Sequence, residues 1–344
     1  MNEERGGNGR ILPVGKLPPD LLEGILERCS GESKDVVVPP RAGEDAAVLR
    51  MGRRLIAVGA DPITFPTPKP GFFAVHINAN DIAVTGAAPQ FYLLTLLLPP
   101  GTSAAEVYSI VDGALEAGRQ VGATLVGGHT EVTGAVTTPV VSICMFGQLL
   151  RPEPLATGNG KPGDAVIQVN PLGIEGTAIL AYEHEARLVE ELGRELVSRA
   201  LAFAETPGLS VVEPALLAAS RLPVHAMHDP TEGGIATGLR ELAGASRTGV
   251  RIDAGELIIA AETEAVCNAC GVDPLGMISS GCLLMSVPEK HAGGCAAMLE
   301  EAGFTARRIG SLTDQEGQCR VVGSNGDEWD LPEFSVDELA GDVR

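Results

Sequence analysis

Along residues 72–89, FFAVHINANDIAVTGAAP, apolar or small positions recur at helical spacing, with Val75, Ala79, Ile82 and Gly86 on one face. A second line, Asn78, Asp81 and Thr85, is polar, and it runs through a segment that is otherwise hydrophobic. A carboxylate flanked by Ile77, Ile82 and Val84 is costly to bury unless a cation neutralises it. Asp81 therefore reads in one of two ways. It faces a metal, magnesium being suited to one or two carboxylates plus water and phosphate oxygens, or it lies at a helix edge in solvent.

The rest of the chain is organised around this segment. Leu21, Leu22, Ile25 and Leu26 predict a helix over 17–29 with Asp20 as its cap, and Lys16 just before it is either a phosphate partner or an ordinary solvated lysine. Val36 to Val38 is strand-like. The turn Gly43-Glu44-Asp45 leads into a short apolar run, and a second strand over 55–64 carries Asp61 near its end. Carboxylates at strand ends either point into a site or form turns. A strand over 90–98, a helix over 103–121 and a strand over 123–126 follow, and the last runs into Gly127-Gly128-His129-Thr130-Glu131. Paired glycines after a strand let backbone approach a ligand closely. A strand over 139–148 closes the first half.

The stretch 151–164 is rich in Pro and Gly and reads as a linker. A strand over 164–170 and helical material over 177–203 lead to Asp229-Pro230-Thr231-Glu232-Gly233-Gly234 and a helix over 235–245. Such a helix N-terminus suits phosphate or metal, although N-capping explains part of the pattern. Strand, helix, strand, helix, strand then run to residue 314, followed by a short strand, an acidic turn with Trp329 and a polar tail. The pattern predicts an α/β (α+β) protein of two domains: an arm over 1–15, domains over 16–150 and 151–320, and a tail over 321–344.

Composition narrows the partners. The 344 residues are 44% hydrophobic, with a mean hydropathy of +0.16, which is globular and not disordered. No apolar run approaches the roughly 20 residues that span a bilayer, and the polar start MNEERGGNGR has no signal-peptide core, so a cytoplasmic setting is expected. With 45 acidic against 25 basic residues the net charge is -20, which argues against nucleic acid or an anionic membrane as partner. A metal still permits nucleotide binding. Seven scattered cysteines read as reduced thiols, and the Cys267/Cys270 pair has no mate at zinc-ribbon spacing, which favours packing over metal or redox work. Neither a P-loop nor a dinucleotide glycine motif is present.

Taken in order, Gly43-Glu44-Asp45-Ala46-Ala47, Asp61, Asn80-Asp81, Gly127-Gly128-His129-Thr130-Glu131 and Asp229-Pro230-Thr231-Glu232-Gly233-Gly234 resemble the superfamily of aminoimidazole ribonucleotide synthetase, selenophosphate synthetase, thiamine-monophosphate kinase and the hydrogenase-maturation protein HypE. The resemblance covers roughly residues 16–314. It is nearest to the HypE-like, aminoimidazole-ribonucleotide-synthetase-related branch, on Gly15-Lys16-Leu17, Asp61-Pro62-Ile63-Thr64, Asn78-Ala79-Asn80-Asp81 and Asp273-Pro274-Leu275 ahead of Ser280-Gly281.

The resemblance implies a homodimer in which N-terminal domains from two chains close a β-barrel and the second domain covers an ATP cleft. It implies that Asp45, Asp61 and Asp81 hold Mg2+ against the ATP phosphates, and that Asn80 and the Gly127, Gly128, His129, Thr130 turn line the nucleotide. Asp229 approaches from the second domain, and Lys16 belongs to a phosphate lid. Two departures stand out. His129 replaces the aspartate usual in HypE-like chains, with Glu131 nearby as a source of charge, and the sequence ends without the cysteine that carries the carbamoyl group in HypE.

The chemistry implied is ATP-dependent phosphotransfer or dehydration on a small carbonyl, amide or phosphate-type acceptor, small-molecule or protein-borne, with Asp81 and Asp229 in the catalytic centre. The alternative is an ATP-binding accessory protein of a maturation complex with little turnover.

Overall fold

The computed structural model describes residues 12, 15–29, 33–64 and 66–342. The arm expected over 1–15 lies, apart from Leu12 and Gly15, outside the described residues. After α1 (Pro19–Cys29), the first lobe runs β1 (Val36–Val38), β2 (Ala47–Met51), β3 (Arg54–Ile63), α2 (Pro70–Val84), β4 (Ala87–Leu98), α3 (Ala104–Val121), β5 (Thr124–Val132) and β6 (Val140–Leu149). Its six strands pair in the order β1-β2-β3-β6-β4-β5. Every pairing is antiparallel except β4 with β5, which α3 joins as a crossover.

Helix α2 is the centre of this lobe. Pro70 takes the first turn, where its missing N–H is not needed, and every residue from Gly71 to Val84 is buried. The polar line predicted from spacing is real, but it faces protein: Asn78, Asp81 and Thr85 are all buried, so the solvent-edge reading of Asp81 does not hold. A Cβ on Gly71 would lie 2.0 Å from the Ile110 carbonyl oxygen, so only glycine lets α2 and α3 cross in contact. Helix α3 opens with a capping box, the Ser103 N–H donating to Glu106 Oε2 at 2.7 Å and the Glu106 N–H to Ser103 Oγ at 3.3 Å.

The second lobe begins after a break between Leu149 and Asp164. Its elements are β7 (Asp164–Val169), α4 (Ile174–Glu183), α5 (Glu185–Leu192), α6 (Arg194–Leu201), α7 (Val212–Arg221), β8 (Ala226–His228), α8 (Gly234–Ala245), β9 (Gly249–Asp253), α9 (Ala261–Cys270), β10 (Leu283–Pro288), α10 (Ala292–Glu301), β11 (Ala306–Thr313), β12 (Cys319–Val322), β13 (Glu328–Asp330) and the short α11 (Leu339–Asp342). Seven strands pair as β13-β12-β9-β11-β7-β10-β8.

Helix α7 has no forecast in the hydrophobic pattern, because VEPALLAASR carries a proline in its first turn and small residues where a stripe would show. The C-terminal segment is not a loose tail. A domain edge at 320 falls inside β12, Leu339 is fully buried, and Asp337 Oδ2 accepts the Gly233 N–H at 2.7 Å. Among the described residues no helix is long and apolar enough to cross a membrane.

Candidate functional site

Acidic side chains from both lobes meet where α2, β3 and the segment after β8 pass one another. Asp81 comes from the last turn of α2, Asp61 from the end of β3, Asp45 from the turn before β2, and Asp229 directly follows β8. A Cβ built on Gly59 would lie 3.6 Å from the Asp45 carbonyl oxygen and 3.7 Å from Asp81 Cβ, so β3 threads between these two residues.

Asp81 and Asp229 are 4% and 1% exposed, which leaves almost no water to solvate their charge. Burial first pushes both carboxyls well above the ordinary range, reinforced at Asp81 by repulsion from Asp229, Asp61 and Asp45 and at Asp229 by repulsion from Asp45 and Asp61. Asp61 is raised as well, by burial first and then by Glu232. Asp81 Oδ2 and both oxygens of Asp229 have no hydrogen-bond partner in the protein.

His228 and Lys16 supply the positive charge that offsets this cluster. The buried imidazole donates from Nδ1 to Asp45 Oδ1 at 2.8 Å and from Nε2 to Glu241 Oε2 at 3.0 Å. Burial opposes a charged ring, but these two carboxylates outweigh it and hold the His228 pKa well above its usual value. Glu241 is held down at about 2, since His228 and Lys16 overcome the effect of its own burial. Lys16 Nζ lies 3.3 Å from Glu241 Oε1 and 3.9 Å from Glu232 Oε2, so α8 anchors it beside the cleft.

A divalent cation fits this donor set. Asp81 and Asp229 present carboxylate oxygens that are buried, unpaired and too mutually repulsive to stay charged alone, which is the deficit a cation fills. Among the described residues no three His, Cys, Asp or Glu side chains close around a single point tightly enough to hold an ion by themselves. Magnesium, which keeps waters and phosphate oxygens in its shell, needs no such cage.

Two sequence expectations are corrected. Asn80 does not line an open site: its Nδ2 donates to the Leu209 carbonyl at 2.8 Å and its Oδ1 accepts the Val211 N–H at 2.8 Å, so both ends of the amide clasp the segment before α7. Gly127, Gly128, His129, Thr130 and Glu131 do not form a turn; all lie within the edge strand β5 and are exposed. A Cβ on Gly128 would lie 1.8 Å from the Leu94 carbonyl oxygen, so this glycine lets β5 close on β4. Asp61, Ile143, Leu94 and Gly128 stand in one row across the sheet. Three strand spacings, about 14 Å, thus separate the β5 motif from the acidic cluster of the same chain.

Residues that the sequence gave no reason to single out complete the cleft. His228 and Glu241 are among them, as is Glu175, buried with Ser280 of the Ser280-Gly281 motif at the floor of a small cavity beside Asp61. The sequence offered one signal, a histidine directly ahead of Asp229. A larger cavity of about 420 Å3 adjoins, bordered by Lys16, Thr64, Glu232, Gly233 and Asp337. Cys267 packs against Met277 at 3.8 Å, and burial pushes its thiol up to about 12.

Two α/β lobes that pool carboxylates at their seam define a two-domain protein with an interdomain cleft suited to a cation and its ligands. The chain belongs to the AIR synthase related proteins, in their HypE-like branch: the N-terminal domain of that family matches residues 43–149 and the C-terminal domain residues 161–322. Carbamoyl dehydratase HypE of Rhizobium leguminosarum bv. viciae is 29% identical over 318 residues, which cover 89% of this chain and 87% of that protein. Among solved structures, the HypE–HypF complex superposes with a TM-score of 0.74 at 22% identity, covering 91% of this chain and 99% of that one. HypE in complex with ATP gives 0.70 at 24% identity, covering 91% and 98%. These likenesses agree with the two-domain α/β architecture.

Proposed function

We propose that this protein uses ATP with Mg2+ to activate a small carbonyl, amide or phosphate-type acceptor, in a dehydration or phosphoryl transfer like that of the carbamoyl dehydratases it is similar to. The observation that carries the reading is the set of buried, unpartnered oxygens on Asp81 and Asp229, contributed by opposite lobes and backed by Asp45 and Asp61. Asp45, Asp61 and Asp81 are the residues to hold the ion, which when bound would neutralise charge developing on the transferred phosphoryl group.

The chain's own groups do the rest. His228 and Glu241 fix the orientation of Asp45 through a continuous hydrogen-bonded line. Asp229 brings charge from the second lobe, so the centre is complete only when both lobes are in place. Lys16, tethered to Glu241 and Glu232, stands ready for a phosphate at the cleft mouth.

Homodimerisation belongs to the same proposal. Strand β5 is an unpaired edge, and Phe91, Leu93, Val126 and Val132 on β4 and β5 are exposed apolar residues. A second chain on this face covers them and brings its Gly127–Glu131 segment toward the nucleotide, the placement that a single chain does not achieve. A protein partner or protein-borne acceptor and a place in hydrogenase maturation rest on the similarity to HypE alone, and the cytoplasmic setting rests on the expectation drawn from the sequence.

Titration calorimetry with ATP in excess Mg2+, wild type against Asp81→Asn, tests the reading. Saturable binding by wild type and ADP release that collapses in the variant are expected. Absence of ATP binding by wild type would overturn the proposal.

A further inference from the structure

Helix α2 borders a second hollow. A cavity of about 780 Å3 opens against Phe72 and His76, and its other walls come from α3 and from residues 204–220 around α7. Phe72 and Asp81 are nine residues apart, about two and a half helical turns, so the cavity lies on the side of α2 turned away from the acidic cluster. Its volume falls in the range of small-molecule sites.

The lining is largely apolar, with Phe72, Val121, Leu209, Val212, Leu216 and Phe304 as its hydrophobic surround. His76 is 2% exposed, and its Nε2 pairs with the Gln120 side-chain oxygen at 3.1 Å. That oxygen only accepts, so Nε2 carries the proton and Nδ1 keeps its lone pair. Burial holds the ring neutral, with its pKa down at about 4 against the pull of the Gln120 bond. Nδ1 is buried and finds no donor in the protein. Such atoms are rare in folded chains, because a buried acceptor has given up water and needs a replacement.

The charged lining is acidic throughout: Glu116, Glu205 and Glu213, with no Lys or Arg among the described residues that border the cavity. Lys69, outside the lining, is bonded to Glu205 and also feels Glu116, and its single charge leaves the cavity net negative.

We infer that this cavity is a second ligand site, separate from the acidic cleft, for a compact amine: an apolar ring whose N–H meets His76 Nδ1 and whose ammonium group faces Glu116 and Glu213. Each part answers one property of the walls. The ring replaces water on the apolar surround, the N–H satisfies the orphaned nitrogen, and the cation balances the carboxylates. A carboxylate or phosphate would meet like charge with no base to pair with. The occupant touches both lobes at once, since α2 and α3 belong to the first and α7 to the second.

The test is titration calorimetry of the full chain with three probes. Tryptamine carries all three features, 1-methyltryptamine lacks the ring N–H, and indole-3-acetate exchanges the ammonium for a carboxylate. Wild type binds tryptamine saturably, about fivefold more tightly than 1-methyltryptamine and at least about tenfold more tightly than indole-3-acetate. His76→Phe, which keeps a ring but offers no acceptor, binds the two amines equally. The double variant Glu116→Gln, Glu213→Gln keeps the preference for the N–H and narrows the gap between amine and carboxylate to less than about threefold. Circular dichroism checks that each variant is folded. Saturating ATP with Mg2+ leaves tryptamine affinity within about threefold. No saturable tryptamine binding by wild type, an N–H preference that survives His76→Phe, a carboxylate probe that binds as well as the amine, or displacement by ATP would each overturn the inference. Should His76→Phe not fold, the glutamate variant decides alone, and an unchanged gap there overturns it.

Discussion

At the scale of single residues, Asp81 and Asp229 decide most. Asp81→Asn is expected to lower ADP release by about 10²- to 10³-fold, the size of removing one major charge-stabilising group. It should leave the urea midpoint of the metal-free protein unchanged or higher, since it removes repulsion in a buried pair. Glu175 gives a pH signature. Burial pushes its carboxyl up to about 8 from an ordinary 4.5, so the folded state holds a proton that the unfolded chain has lost across that window. Stability contributed there is present at low pH and declines as pH rises from about 4.5 to 8. Urea unfolding at several pH values should show this decline in wild type and a flatter profile in Glu175→Gln. The sequence exposed Asp45, Asp61, Asp81 and Asp229 because each stands out against apolar or glycine-rich neighbours. His228, Glu241 and Glu175 escaped, because what makes them special is a partner or a void dozens of residues away, and spacing along one chain carries no trace of it.

At the scale of elements, α2 and β5 show why local pattern both succeeded and failed. The 3.6-residue rhythm located α2 to within two residues at its start, yet an all-round buried helix has no wet face, so rhythm alone left the direction of its polar line open. Asn80 illustrates the result: it looked like a ligand-binding amide and is a clasp on residues 209–211. Asn80→Ala should cost about 2–3 kcal/mol in urea unfolding, with faster hydrogen exchange confined to the segment before α7. In β5 the glycine pair reads from the sequence as a turn after the strand, where bare backbone approaches a ligand closely. Here it removes side chains that would collide with Leu94. Gly128→Val is expected to force β5 off β4 and destabilise by more than about 2 kcal/mol, measured by calorimetric melting. Capping followed its rule, since Ser103 and Glu106 make the box that their spacing allows.

At the scale of the molecule, an unpaired edge and a line of exposed apolar side chains predict assembly. Sedimentation should give a species near twice the 35.6 kDa chain. Val126→Lys, a charge on that edge, is expected to return it to a single chain while its melting temperature holds. The two-lobed α/β plan was visible from the Pro/Gly-rich break and the strand–helix alternation. What joins the lobes was not, because the joints are single side chains: Glu44 to Thr157, Asp45 to His228, Asn80 to Leu209. Helix α2 holds the frame together, its successive polar positions addressing β3, the segment before α7 and Asp229 in turn. A one-residue slip of that helix would misdirect three appointments at once, so an engineer seeking a new acceptor has almost no latitude between 78 and 81.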